Sequence, residues 1–144
     1  MSGTRSGIPE QVPNWIGGAE APSVTGRTFT KLAPADGKPI CDVVRSDGAD
    51  AARAVEAARE AYPGWAGLTP VRRGEILFAI IDALVAHREE IAGVVARETG
   101  KSPQAALGET DGAIALGRFM AGEGQRLYGR TTTSGTPNKW AMTV

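Results

Sequence analysis

A block of strand-like sequence, Asn14 to Ser46, is followed by a block patterned for helix almost without a break, Asp47 to Gly129. Strands first and helices after is the order of an α+β module. The strongest signal lies inside the helical block, where the apolar pairs Ile76/Leu77, Ile80/Ile81 and Leu84/Val85 recur every four residues and mark one face of a helix. Thr69-Pro70 opens that helix, with proline at the first position, where its missing N–H costs nothing. Upstream, Asp47 is an N-cap with Asp50 in the first turn, where the helix dipole favours a carboxylate. Ala51, Val55, Ala58 and Tyr62 follow at helical spacing until Pro63-Gly64, which is expected to stop the run. The pattern restarts near His87-Arg88 with Ile91, Val94 and Val95 and ends at Thr99-Gly100. Ser102-Pro103 repeats the cap-plus-proline signature and predicts a long helix to about Leu127.

In the strand block, Trp15-Ile16 leads into the turn pair Gly17-Gly18, Thr28 to Leu32 is a second strand and Lys38 to Arg45 a third. The turn Pro34-Ala35-Asp36-Gly37 between the last two is a hairpin signal. Ile40, Asp42 and Val44 share one face of the third strand, Cys41 and Val43 the other, an imperfect alternation that suits an edge. Residues 1–13 are rich in Gly, Ser and Pro and lack the apolar core of a signal peptide, so they read as a disordered tail. Arg130 to Asn138 reads as a loop, and Lys139 to Val144 as a strand without a partner, as if the chain stopped within something larger. The organisation expected is a tail at 1–13, a β-hairpin region at 14–46, a segment of about four helices at 47–129, and a loop and strand at 130–144.

At 144 residues the chain suits one domain able to bury roughly two-thirds of its unfolded surface. Sixteen Lys+Arg balance sixteen Asp+Glu, and the signs alternate along the helical part, so the phosphate attraction that nucleic-acid binders rely on is missing. No run of about 18 apolar residues occurs, which argues against a membrane partner. One cysteine excludes an internal disulfide framework and a cysteine-based zinc cage, and suits the reducing cytoplasm.

The candidate chemical elements are weak taken singly. Gly100-Lys101-Ser102 resembles the tail of a phosphate-binding loop, but Val95 stands where the loop needs its first glycine, and a helix rather than a strand precedes it. Gly122-Glu123-Gly124 lies late in a helical run, whereas a dinucleotide fingerprint follows a strand. The long last helix carries glycines at 108, 112, 117, 122 and 124, each costing about 1 kcal/mol relative to alanine, which points to close backbone approach or a substrate channel, packing being favoured. Cys41 reads as a structural thiol on a strand rather than a nucleophile, and His87 as a solvated cap. Glu98 is a carboxylate at a helix end, opposed by the dipole; it is a tolerated surface acid, or it has a cation beside it. No active site is assembled from these residues.

Taken in order, several stretches resemble the amino-terminal part of the aldehyde dehydrogenase superfamily. They are Asn14-Trp15-Ile16-Gly17-Gly18, Thr28-Phe29-Thr30, Pro34-Ala35-Asp36-Gly37, the Ala-rich run Ala51 to Ala58 with Tyr62-Pro63-Gly64-Trp65, Arg72-Arg73-Gly74-Glu75-Ile76-Leu77, Glu98-Thr99-Gly100-Lys101, Arg118-Phe119-Met120-Ala121-Gly122 and Leu127-Tyr128-Gly129. Ser102 before Pro103, and Leu32-Ala33-Pro34 in place of a usual Asn-Pro, depart from the pattern.

The resemblance implies a fragment of a larger α/β enzyme that oxidises an aldehyde to a carboxylic acid with NAD or NADP through a cysteine thioester, and that assembles as a dimer or tetramer. The helical segment would belong to its cofactor-binding domain, and 130–144 would begin its oligomerisation element. The resemblance places no catalytic or cofactor-binding residue within this chain, so the chain alone is expected to be inactive. It implies that Gly112 borders the aldehyde tunnel. It also implies a sodium or potassium ion held by the backbone carbonyls of Lys31 and Leu32 and the carboxylate of Glu98, with pairing of Glu98 to a lysine or arginine as the alternative. A different class of function, a non-catalytic helical interaction or oligomerisation module, uses the same helices.

Overall fold

The computed structural model describes residues 7–126 and 128–143, so that residues 1–6 of the expected tail, Leu127 at the expected helix end and Val144 of the last strand lie outside the described residues. The described residues form an α+β arrangement, with small strands at both ends and four α-helices between. Gln11–Val12 (β1) is a strand where the sequence suggests a tail: it pairs in parallel with Pro39–Val44 (β5), and the Asp42 N–H donates to the Glu10 carbonyl. Asn14–Ile16 (β2) turns through Gly17 and Gly18, both at positive φ, into Ala19–Ala21 (β3). Two consecutive positive φ values are the tight hairpin turn whose twist matches paired strands, and glycine adopts them at little cost. Thr28–Leu32 (β4) pairs antiparallel with β5 in the expected hairpin, with a bulge between Lys31 and Leu32, and β5 is the centre of the three-stranded sheet.

The helices are Gly48–Ala66 (α1), Pro70–Ala86 (α2), Arg88–Thr99 (α3) and Pro103–Ala121 (α4). Each expected N-cap accepts a backbone N–H through its side chain: Asp47 from Ala49, Thr69 from Arg72 and Ser102 from Ala105. Pro63 does not stop α1, which runs on for three residues. A proline that close to the C-terminus removes one helical hydrogen bond on an exposed face, and the Gly67 N–H still closes the last turn on the Pro63 carbonyl. α4 ends at Ala121, earlier than expected, and Gly122–Gln125 tightens into a 3₁₀ turn.

α2, α3 and α4 form one layer whose core is small: Ile81, Ala92, Ala106, Ile114 and Ala121. Gly74 and Gly124 exist for this packing, since a Cβ on either would collide with backbone, the first with Ala121 and the second with Pro70. α1 leaves Val55, Tyr62 and Trp65 exposed and has only Asp50 buried. Thr131–Thr133 (β6) pairs antiparallel with Trp140–Met142 (β7), so the last strand does have a partner within the chain, in the stretch expected to be a loop. The whole chain exposes 10617 Å², against about 7000 Å² for a compact monomer of its mass. It buries nearer half than two-thirds of its unfolded surface, and among the described residues no large side chain is fully buried.

Candidate functional site

Polar side chains from distant parts of the chain converge under partial cover where the β4–β5 hairpin meets the end of α3. Glu98 stands in the last turn of α3, and Gly100 ends the helix in the left-handed conformation, φ 74°, its N–H on the Ala96 carbonyl. The hairpin turn lies directly against that cap: a Cβ on Gly100 would sit 3.3 Å from Pro34 Cβ. On β4, Lys31 reaches across and its Nζ donates to Glu98 Oε2 at 2.9 Å, with the two side chains 33% and 35% exposed. Lys31 faces Cys41 across the strand pair, and Cys41 is buried. Burial pushes the Cys41 thiol up, and the Glu98 carboxylate pushes in the same direction. A thiol so placed is protonated and covered, which makes it a poor nucleophile.

Of the residues the resemblance singles out for a cation, Lys31 and Glu98 are thus brought together, but by the lysine's own ammonium. Leu32 follows Lys31 after the bulge and is half exposed. Among the described residues no group of three His, Cys, Asp or Glu side chains is placed to hold a metal ion. The second expected position, Gly112, lies mid-α4 with nothing within 4 Å of where a Cβ would stand. Of its neighbours along the helix, Gly108 is open in the same way, Gly117 meets Ile81, and Gly122 meets the Arg126 guanidinium.

The weaker elements settle as structural parts. Lys101 of Gly100-Lys101-Ser102 gives its ammonium to Glu109, and Ser102 caps α4, so that segment joins two helices. Gly122-Glu123-Gly124 is the 3₁₀ turn packed on the start of α2. His87 is exposed, with Nδ1 3.0 Å from Glu90 Oε2.

Two contacts escaped sequence reasoning. Buried Asp50 does more than complete the first turn of α1: one oxygen accepts from Asp47 N–H at 3.1 Å, the other from Val24 N–H at 2.9 Å. It therefore ties the β3–β4 loop to the helix. Arg88 grips Asp111 through two N–H groups at 2.5 and 2.7 Å, across the antiparallel pair α3–α4. Neither had a local signal, because the partners are far apart in sequence.

A hairpin seated on the end of a helix, next to a three-helix layer with much of its apolar surface uncovered, is a segment of a larger α/β fold. The chain belongs to the aldehyde dehydrogenase family, whose sequence profile matches residues 21–144. It is 40% identical over 117 residues to the alpha-ketoglutaric semialdehyde dehydrogenase of Bacillus subtilis, a match covering 81% of this chain and 24% of that protein. An NAD-dependent benzaldehyde dehydrogenase from Corynebacterium glutamicum superposes with a TM-score of 0.76 at 30% identity, over 88% of this chain and 28% of that one. An NADP-dependent enzyme of E. coli does so with a TM-score of 0.84 at 26% identity, over 94% and 28%. The chain spans about a quarter of the length of the curated relatives it matches.

Proposed function

We propose that the protein carrying this segment oxidises an aldehyde to a carboxylic acid with NAD or NADP as hydride acceptor. The observation that carries the reading is the family match over nearly the whole segment, from residue 21 to residue 144. In this reading the segment supplies structure rather than chemistry. Residues 47–129 contribute helices to the cofactor-binding domain, and Gly112 borders the path of the aldehyde. The exposed apolar surface of α1 and of the α2–α4 layer suits burial against the rest of such an enzyme.

The hairpin β6–β7 would begin the oligomerisation element of a dimer or tetramer. Trp140 and Met142 are exposed on it, and a two-stranded ribbon gains independent stability only by further pairing or packing. The single cysteine, buried and free, is consistent with a cytoplasmic enzyme.

The test is an assay of the full-length product against a panel of aldehydes with each cofactor, following the absorbance of the reduced nicotinamide. Turnover with at least one aldehyde is the expected result. Absence of turnover and of cofactor binding, with a stable assembly still formed, would favour the non-catalytic module instead.

A further inference from the structure

The family resemblance sets a free sodium or potassium ion against Glu98 and the carbonyls of Lys31 and Leu32; the side chains do not fit one. Glu98 lies at the negative end of α3, where a carboxylate is disfavoured unless a positive charge is near. That charge is already supplied: the Lys31 ammonium is on Glu98 Oε2 at 2.9 Å, and both side chains are about two-thirds withdrawn from water. A second cation would have to sit beside the ammonium, like charge next to like charge, with one carboxylate oxygen left to bind it.

We infer that the Lys31 ammonium is a tethered cation: it takes the place of an alkali ion on Glu98 and fastens the β4–β5 hairpin to the end of α3, so that the protein needs no sodium or potassium there. The chemistry is a close match, because an ammonium is a compact monovalent cation that ligates oxygen as potassium does. Delivery differs. A free ion must be recruited from solution, whereas a lysine on β4 is held at high local concentration by the strand that carries it. The packing of Pro34 on Gly100 lies beside the ion pair and holds the two elements at the distance the lysine spans. The inference rests on the fold and this contact, and is independent of which aldehyde or cofactor is used.

The experiment measures the melting temperature of the full-length protein in sodium, potassium and tetramethylammonium chloride at matched ionic strength, so that general screening is the same in all three. The wild-type protein is expected to melt at one temperature throughout. Lys31→Thr is expected to melt a few degrees lower in tetramethylammonium and to recover most of the loss, saturably, in sodium or potassium, because the vacated carboxylate and carbonyls can then bind the free ion. Glu98→Gln is expected to melt lower in all three salts without rescue. Lys31→Arg, a milder change that keeps the charge, is expected to remain indifferent to the salt. A wild-type protein stabilised selectively by sodium or potassium would overturn the inference. So would a Lys31→Thr protein that is unaffected or equally destabilised in all three salts.

Discussion

Gly74 on α2 and the carbonyl of Ala121 at the end of α4 are in backbone contact: a Cβ on Gly74 would come within 2.5 Å of that oxygen. The helix pays the entropic penalty of an interior glycine because the approach admits no side chain. Neither element can give way cheaply, since α4 turns into the 3₁₀ segment at that point and Gly124 rests on the Pro70 carbonyl about one turn away. Gly74→Ala is therefore expected to destabilise despite alanine's better helix propensity, by about 1–3 kcal/mol as overpacking does. Denaturant unfolding of the full-length protein checks this; a neutral or stabilising effect would mean that the α2–α4 contact is slack.

Asp50 makes stability depend on acid. Burial opposes its charged form, but the N–H groups of Val24 and Asp47, the Ser23 hydroxyl and the Arg53 charge together outweigh burial and hold the carboxyl below its ordinary value of 3.8. A folded-state value below the unfolded one means that the contribution is present above pH 3.8 and is lost as pH falls through the lower, folded value. Asp50→Asn should lower the melting temperature at neutral pH and flatten its fall below pH 3.8. The release of the β3–β4 loop should also appear as faster amide exchange at Val24, since its donor then faces a weaker acceptor.

The Arg88–Asp111 contact depends on the planar fork of the guanidinium, which donates two hydrogen bonds to one carboxylate. Arg88 holds the Asp111 carboxyl below its usual range, and Asp111 in turn raises the guanidinium's value. Arg88→Lys keeps the charge and loses the fork, so it should destabilise nearly as much as Asp111→Asn. In a double-mutant cycle the two changes should be clearly non-additive; simple additivity would reduce the contact to an incidental surface pair.

Much of the fold was legible because its signals are local. The caps Asp47, Thr69 and Ser102, the strand Thr28–Leu32 and the turn before Gly37 each rest on a few neighbouring residues, and all form as expected. What was not legible depends on partners distant in sequence or on context. The parallel pairing of Gln11–Val12 with β5 and the strand at Thr131–Thr133 gain their structure from another strand, and runs of two and three residues beside glycine and proline are too short to read as strands on their own. Pro63 reads as a stop because the sequence does not say how near the helix end it falls. At the candidate site, the position and strain of Glu98 could be read from its place before Thr99-Gly100. Its partner could not, because Lys31 is 67 residues away and is placed by the hairpin.

Cys41 should be chemically silent. It is 6% exposed, and burial followed by the nearby Glu98 charge raises its thiol, only partly countered by Lys31. A raised folded-state value favours the protonated thiol at neutral pH, and stability from this group falls only as pH rises above the unfolded value. In the native protein Cys41 is expected to resist alkylating reagents and to react on unfolding. Under the proposed function, Cys41→Ala should leave aldehyde oxidation by the full-length protein intact. Loss of turnover in a Cys41→Ala protein that still folds would overturn the structural assignment of this thiol.

Gly112 separates the packing and channel readings of the α4 glycines. Where Gly117 and Gly124 are pressed by Ile81 and Pro70, a Cβ at Gly112 would meet nothing within 4 Å, so no close approach within this segment accounts for glycine there. Retaining it costs the helix about 1 kcal/mol relative to alanine, which a channel wall would justify if a side chain narrowed the path. Under the proposed function, Gly112→Leu should raise KM for long or bulky aldehydes several-fold more than for short ones. It should leave kcat on short substrates nearly unchanged, because uniform binding rather than transition-state contact is removed. Gly112→Ala should be stabilising by up to about 1 kcal/mol and nearly neutral toward substrate length. A Leu variant with equal effects on long and short aldehydes would place Gly112 away from the substrate path.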